Sequence, residues 1–123
     1  MANILVVEDD VGIAEGMDRF LRSLGHTALV VPTAERALET IYSGRRIDLI
    51  FSDQQLEGGR LLGTEFLMVL KGDAATAKLP FILTSGDPTP EIDAICQKYR
   101  VPFLSKPGYD QLPALLEQEL AKK

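Results

Sequence analysis

Four short stretches of this chain carry groups able to do chemistry together. Glu8-Asp9-Asp10 are consecutive acids, and Asp53 is a further acid. Thr84-Ser85-Gly86 offers a hydroxyl beside a glycine, and Ser105-Lys106-Pro107 offers an ammonium. Each lies at the end of an apolar run. Acids gathered in one place repel one another, and a cation relieves the repulsion. All-oxygen ligands with room for water suit Mg²⁺, which prefers octahedral oxygen coordination and keeps several waters. An ammonium and a hydroxyl beside such an ion suit phosphoryl oxygens. Within that set Asp53 is either a ligand or the nucleophile itself, because carboxylates form acyl phosphates as covalent intermediates.

The elements that must position these groups follow from the hydrophobic periods. Ile4-Leu5-Val6-Val7 is a continuous apolar run, the signature of a strand buried on both faces. Ile13, Met17, Phe20, Leu21 and Leu24 then recur at helical spacing, and Gly25 supplies a stop. Thr27–Val31 reads as a second strand, and Thr33 caps a helix striped by Ala34, Ala37, Leu38 and Ile41. Ile47–Ser52 is a third strand ending at Asp53. A glycine-containing loop follows, then a helix with Phe66, Leu67 and Leu70. Phe81–Thr84 is a fourth strand. Thr89-Pro90-Glu91 starts a helix with Ile92, Ile95 and Tyr99 on its stripe. Val101–Leu104 is a fifth strand. A last helix from about Asp110 carries Leu112, Leu115, Leu116 and Leu120, with Pro113 harmless in its first turn.

This strict alternation of strand and helix predicts a parallel sheet covered by helices on both faces. In such sheets ligands bind at the carboxyl ends of the strands, where strand order reverses. The second strand ends at Val31-Pro32 with no charged group. It is therefore expected at an edge, while the other strand ends face one pocket.

Composition narrows the function further. The chain has 123 residues, which favours one domain without a linker. Its net charge of −5 excludes the basic footprint that gripping nucleic acid requires. No apolar run approaches the length of a membrane span, and Ile4–Val7 is too short for a signal peptide. A cytoplasmic location is the expectation. The lone Cys96 cannot form an internal disulfide and reads as an inert helix residue. The lone His26 excludes His-rich metal sites and reads as a surface residue far from the pocket. No GxGxxG or GxxxxGK[ST] motif occurs, so Gly58-Gly59 is not a phosphate cradle.

Taken in order, Ile4–Asp10, Asp48–Asp53, Leu79–Gly86 and Pro102–Pro107 give the chain its resemblance to the receiver domain of two-component response regulators. The resemblance covers essentially the whole chain. It implies a flavodoxin-like α/β fold, a doubly wound five-stranded parallel sheet in the order 2-1-3-4-5. It also implies a single receiver domain over residues 1–123 with no output domain. Asp53 matches the phosphoacceptor, which takes a phosphoryl group from a histidine kinase or a histidine phosphotransfer protein. Asp9 matches a direct Mg²⁺ ligand, and Glu8 the neighbouring acid acting through water. Gln55 would give its main-chain carbonyl to the metal. Ser85 matches the hydroxyl that moves toward the phosphoryl group, and Lys106 the lysine that pairs with its oxygens. Phe103 occupies the switch-aromatic position, whose ring turns inward and reshapes the face made by helix 4, strand 5 and helix 5 for a downstream protein partner. Such a domain is no enzyme beyond catalysing its own phosphorylation and slow autodephosphorylation.

The sequence departs from the family in three places. Glu57 stands where a proline is usual, four after the acceptor. A glycine is usual eight after the acceptor, and the following loop is about two residues longer before Phe66. Gly108 and Tyr109 follow Lys106-Pro107, where a bulky apolar residue is common. Gln55 and Asp87 occupy the positions associated with tuning dephosphorylation. Two rival readings share the same residues: a small Mg²⁺-dependent aspartyl phosphohydrolase, and a receiver-like binding module independent of phosphate.

Overall fold

A computed structural model describes residues 1–106 and 109–122, apart from the side chain of Tyr109. The readings placed on Gly108 and on the Tyr109 side chain lie outside the described residues. Strands β1 (Asn3–Val7), β2 (Thr27–Val31), β3 (Leu49–Asp53), β4 (Phe81–Ser85) and β5 (Phe103–Ser105) alternate with helices. The helices are α1 (Val11–Ser23), α2 (Ala34–Tyr42), α3 (Gly63–Lys71), α4 (Pro90–Tyr99) and α5 (Leu112–Ala121). A 3-10 turn at Tyr109–Gln111 leads into α5.

The five strands form one parallel sheet in the order β2-β1-β3-β4-β5, as expected, with the chemically silent β2 at an edge. The register aligns the strand ends: Val7 pairs with both Val31 and Ser52, Asp53 with Thr84, and Ser85 with Ser105. Side chains alternate between two buried layers, as the pleat requires. Leu5, Val7, Ile50 and Leu83 face Ala34 and Ala37 of α2, Phe66 and Leu67 of α3, and Ile92 and Cys96 of α4. Ile4, Val6, Leu49, Phe51 and Ile82 face Met17 and Leu21 of α1, and Leu112 and Leu116 of α5. The rings of Phe66 and Phe81 meet tilted, with centroids 5.7 Å apart.

Three local boundaries differ from the sequence reading, each for an identifiable reason. β3 begins at Leu49 rather than Ile47, because the Asp48 carboxylate accepts the Asn3 N–H at 2.8 Å before the ladder starts. β5 begins at Phe103 rather than Val101. Val101 donates its N–H to Cys96 at the end of α4, and Pro102 has no N–H to give. The buried face of α1 is centred on Ala14, Met17 and Leu21, which turns Ile13 and Leu24 outward to 36% and 39% exposure.

Helix ends obey ordinary capping chemistry. Asp10, Thr33 and Thr89 cap α1, α2 and α4, each accepting an N–H three residues on. Gly25 follows α1 with φ of +89°, the left-handed turn that glycine adopts freely. Arg100 takes the same role after α4 with φ of 57°, at a steric cost that a glycine would not bear.

Candidate functional site

The site is assembled at the carboxyl ends of β1, β3, β4 and β5. Because the strands are parallel and in register, the residues that follow them emerge on one side of the sheet. Glu8 and Asp9 follow β1, Asp53 closes β3, Ser85 closes β4, and Lys106 follows β5. The structure brings four of them into direct proximity. Single carboxylate oxygens of Glu8, Asp9 and Asp53 all lie within 4.8 Å of one another. The Lys106 ammonium stands 3.0 Å from Glu8 Oε1 and 3.2 Å from Asp53 Oδ2.

Burial sharpens the electrostatics of this group. Glu8 is 6% exposed and Asp53 is likewise 6% exposed, while Asp9 is half-buried. Loss of water drives the Glu8 carboxyl up, to about 7. Hydrogen bonds from Lys106 and the Asp10 N–H pull against that rise, and the charge of Asp53 adds to it. Burial lowers the Lys106 ammonium, but the hydrogen bond to Glu8 and the charge of Asp53 outweigh it and hold the group above its usual range. The cluster thus carries more negative charge than one ammonium neutralises.

Those donors fit a small hard cation. Opposite oxygens of an Mg²⁺ octahedron lie about 4 Å apart, given bonds of 2.0–2.1 Å. Closing the spread of 4.8 Å to that figure takes a movement of roughly 1 Å or less, within side-chain reach.

Ser85 and Gln55 stand nearby in different ways. Ser85 is fully buried, and its Oγ accepts the Asp87 N–H at 3.1 Å. Its carbonyl accepts the Lys106 N–H at 3.0 Å, which ties the ends of β4 and β5 together. Gln55 is exposed in the loop after Asp53. Phe103 is half-buried against the layer containing α4. Asp10, the third of the consecutive acids, is spent on capping α1. His26 is not a plain surface residue: it is half-buried, and its Nδ1 accepts the Ala2 N–H at 3.1 Å. Burial lowers its basicity, with the charged N-terminus adding to the effect. Cys96 is buried, and burial pushes its thiol up to about 11.

Several residues around Asp53 escaped the sequence reading. Gln54, one past Asp53, is buried and reaches the start of α3. Its Oε1 accepts the Thr64 N–H at 2.8 Å, and its Nε2 donates to Thr64 Oγ1 at 3.1 Å. Leu62, at the head of that helix, has no side-chain acceptor, so Gln54 supplies the cap from outside. Gly63 lies against the Asp53 carbonyl. A Cβ there would collide with that oxygen and would stand 2.8 Å from Leu83 Cδ1. The longer loop brings this glycine, ten residues after Asp53, against the carboxyl end of β3. Finally, the Glu57 N–H donates to Asp9 Oδ2 at 3.0 Å, so the longer loop closes onto the acidic cluster.

Comparison with known proteins agrees with this arrangement. Residues 4–117 match the family described as the response regulator receiver domain. A nitrogen assimilation regulatory protein, NtrX, from Azorhizobium caulinodans is 32% identical over 96% of this chain. The match takes in 26% of that protein, so the chain spans about a quarter of its length. Among solved structures, a response regulator receiver protein from Pseudomonas putida superposes with a TM-score of 0.86 at 27% identity, over 96% of this chain and 97% of that one. NtrX from Brucella abortus superposes with a TM-score of 0.84 at 31% identity, over 98% of this chain and 27% of that one.

Proposed function

The chain belongs to the response regulator receiver domain family, and on that premise we propose that Asp53 is its phosphoacceptor, served by Lys106, Ser85 and an Mg²⁺ ion. Receiver domains of two-component systems work with histidine kinases and downstream effectors. Here the donor is a phosphohistidine on a kinase or a histidine phosphotransfer protein. A carboxylate oxygen of Asp53 attacks phosphorus, a P–O bond forms, and the P–N bond breaks. The electron pair leaves with the imidazole nitrogen, which takes up a proton. The observation that carries this reading is the placement of Lys106 Nζ between Glu8 and the Asp53 carboxylate, at 3.0 and 3.2 Å.

Each residue then has a task. Glu8, Asp9, Asp53 and the main-chain carbonyl of Gln55 hold the ion, which when bound neutralises charge on the phosphoryl oxygens. Lys106 lies close enough to exchange its pairing with Glu8 for a phosphoryl oxygen. Ser85 Oγ is held by the Asp87 N–H in the unphosphorylated state. Moving to the phosphoryl group, it leaves space toward which Phe103, half-buried on β5 opposite Leu83, can turn. The chain is not an enzyme with an external turnover. It catalyses its own phosphorylation and its slow autodephosphorylation.

The test is incubation with Mg²⁺ and acetyl phosphate, followed by intact-mass spectrometry. One phosphoryl adduct is expected, absent in EDTA and absent in Asp53→Asn. An adduct that survives Asp53→Asn overturns the assignment. Steady turnover of phosphoesters would instead make the protein a phosphohydrolase.

A further inference from the structure

We propose that Glu35, on α2, is a positioning residue for the Mg²⁺-binding loop that follows the acceptor. The inference rests on the reading of the site above and extends it to an element that carries none of the acidic ligands.

Three observations converge on Glu35. Its Oε2 accepts the Arg60 N–H at 2.7 Å, which joins the first turn of α2 to the far end of the loop after Asp53. That bond is the chief reason its carboxyl is held below the ordinary glutamate range. Its other oxygen, Oε1, is shielded from solvent, and the N–H groups of Glu35 itself and of Leu61 also help to hold the carboxyl down. The third observation is steric. Gly59 lies against this carboxylate so closely that a Cβ on it would stand 2.6 Å from Oε1 and 3.0 Å from Thr33 Cβ. The loop is pressed onto the head of α2, and a side chain at this position would have to displace the Glu35 carboxylate and crowd Thr33.

The near end of the same loop is fixed by the Glu57 N–H on Asp9 Oδ2, at 3.0 Å. Gln55, whose carbonyl is the metal ligand in the reading above, therefore lies between Asp53 and a segment tethered twice by main-chain amides. One tether ends on a metal ligand, and the other ends on Glu35. Without the Glu35 tether, residues 58–61 lose their anchor on α2, and the Gln55 carbonyl must be ordered when the ion binds. The cost falls on metal affinity rather than on the transfer step once the ion is in place.

The test compares calorimetric Mg²⁺ titration with the rate of phosphorylation by acetyl phosphate at saturating Mg²⁺. Glu35→Ala is expected to weaken Mg²⁺ binding about tenfold, the scale of losing a supporting residue around a metal site, while the saturated rate changes less than about twofold. Glu35→Gln keeps an acceptor oxygen for the Arg60 N–H and should restore affinity to within about threefold of wild type. Gly59→Ala attacks the same contact from the loop side and should reproduce the Glu35→Ala defect, so the inference stays testable if Glu35→Ala does not fold. Equal Mg²⁺ affinity in wild type and Glu35→Ala overturns the role of Glu35 alone. So does a saturated rate that falls as far as the affinity does. A wild-type chain that binds no Mg²⁺ overturns the reading of the site as well.

Discussion

The ammonium of Lys106 lies 3.0 Å from Glu8 Oε1, a contact between residues 98 positions apart. It joins the last strand to the first across the reactive end of the sheet. Both side chains are largely shielded, with 18% and 5% exposure. Removing the cation leaves Glu8 and Asp53 facing each other without compensation. Lys106→Met should therefore lower stability by about 2 kcal/mol at pH 8 in EDTA, somewhat less than for a fully buried pair. Saturating Mg²⁺ supplies the missing charge and should recover most of that loss. Urea denaturation with and without Mg²⁺ measures both, and a loss unaffected by the ion contradicts the account.

The metal-free protein should become less stable as pH rises from about 5 to 7. Glu8 keeps its proton in the fold up to about 7, against an ordinary value of 4.5 in the unfolded chain. Between those values the native state binds more protons than the unfolded state, so stability falls with rising pH. The contribution is complete below 4.5 and gone above 7. Glu8→Gln cannot ionise and should flatten this slope in EDTA. The same proton competes with the ion, so Mg²⁺ affinity should drop by up to about tenfold for each pH unit below 7. Parallel pH slopes for wild type and Glu8→Gln would contradict the assignment.

Gly63→Ala should be severely destabilising for a steric reason alone. A Cβ would strike the Asp53 carbonyl, with Leu83 Cδ1 at 2.8 Å and Gln54 Cα at 3.0 Å. Two of those three neighbours are backbone atoms and cannot swing away. A loss of about 3 kcal/mol is expected, at the upper end of ordinary overpacking costs. Because the strike falls on Asp53, the proposed acceptor, the phosphorylation rate should drop together with the melting temperature.

Arg100→Gly should act in the opposite direction. Arg100 ends α4 at φ of 57°, and it is the one non-glycine residue at positive φ among those described. Relief of that conformation is worth about 1 kcal/mol. The substitution lies at the opposite end of the sheet from the acids, so it should raise the melting temperature and leave acceptor chemistry unchanged.

Sequence patterning revealed most of what places the reactive groups, because strand ends are marked by a change in residue chemistry. Val7-Glu8, Ser52-Asp53 and Ser105-Lys106 each pass from apolar or neutral to charged where a strand stops. The silence of Val31-Pro32 marks β2 as an edge strand in the sequence itself. The stripe of α1 was misjudged at Ile13 and Leu24, because the buried face is set by how the helix lies on the sheet, and the small Ala14 permits the closer approach. The supports of the acceptor were hidden for another reason. Glu35 and Arg60 are 25 positions apart, and the bond between them uses a main-chain N–H that every non-proline residue has. No side-chain pattern announces such a contact. Gln54 gives no signal in the sequence, because an amide beside an acid has no evident task until the helix it caps is in place.

The two amide tethers of the loop after Asp53 have a consequence for how this surface can diversify. Glu57 and Arg60 are anchored through their peptide groups, and their side chains project into solvent. The anchorage does not depend on what those side chains are. Residues at both positions can change while the Asp53 carboxylate keeps its geometry. Surface variation and site geometry are thereby separated within a few residues of each other, one written in side chains and the other held by the main chain.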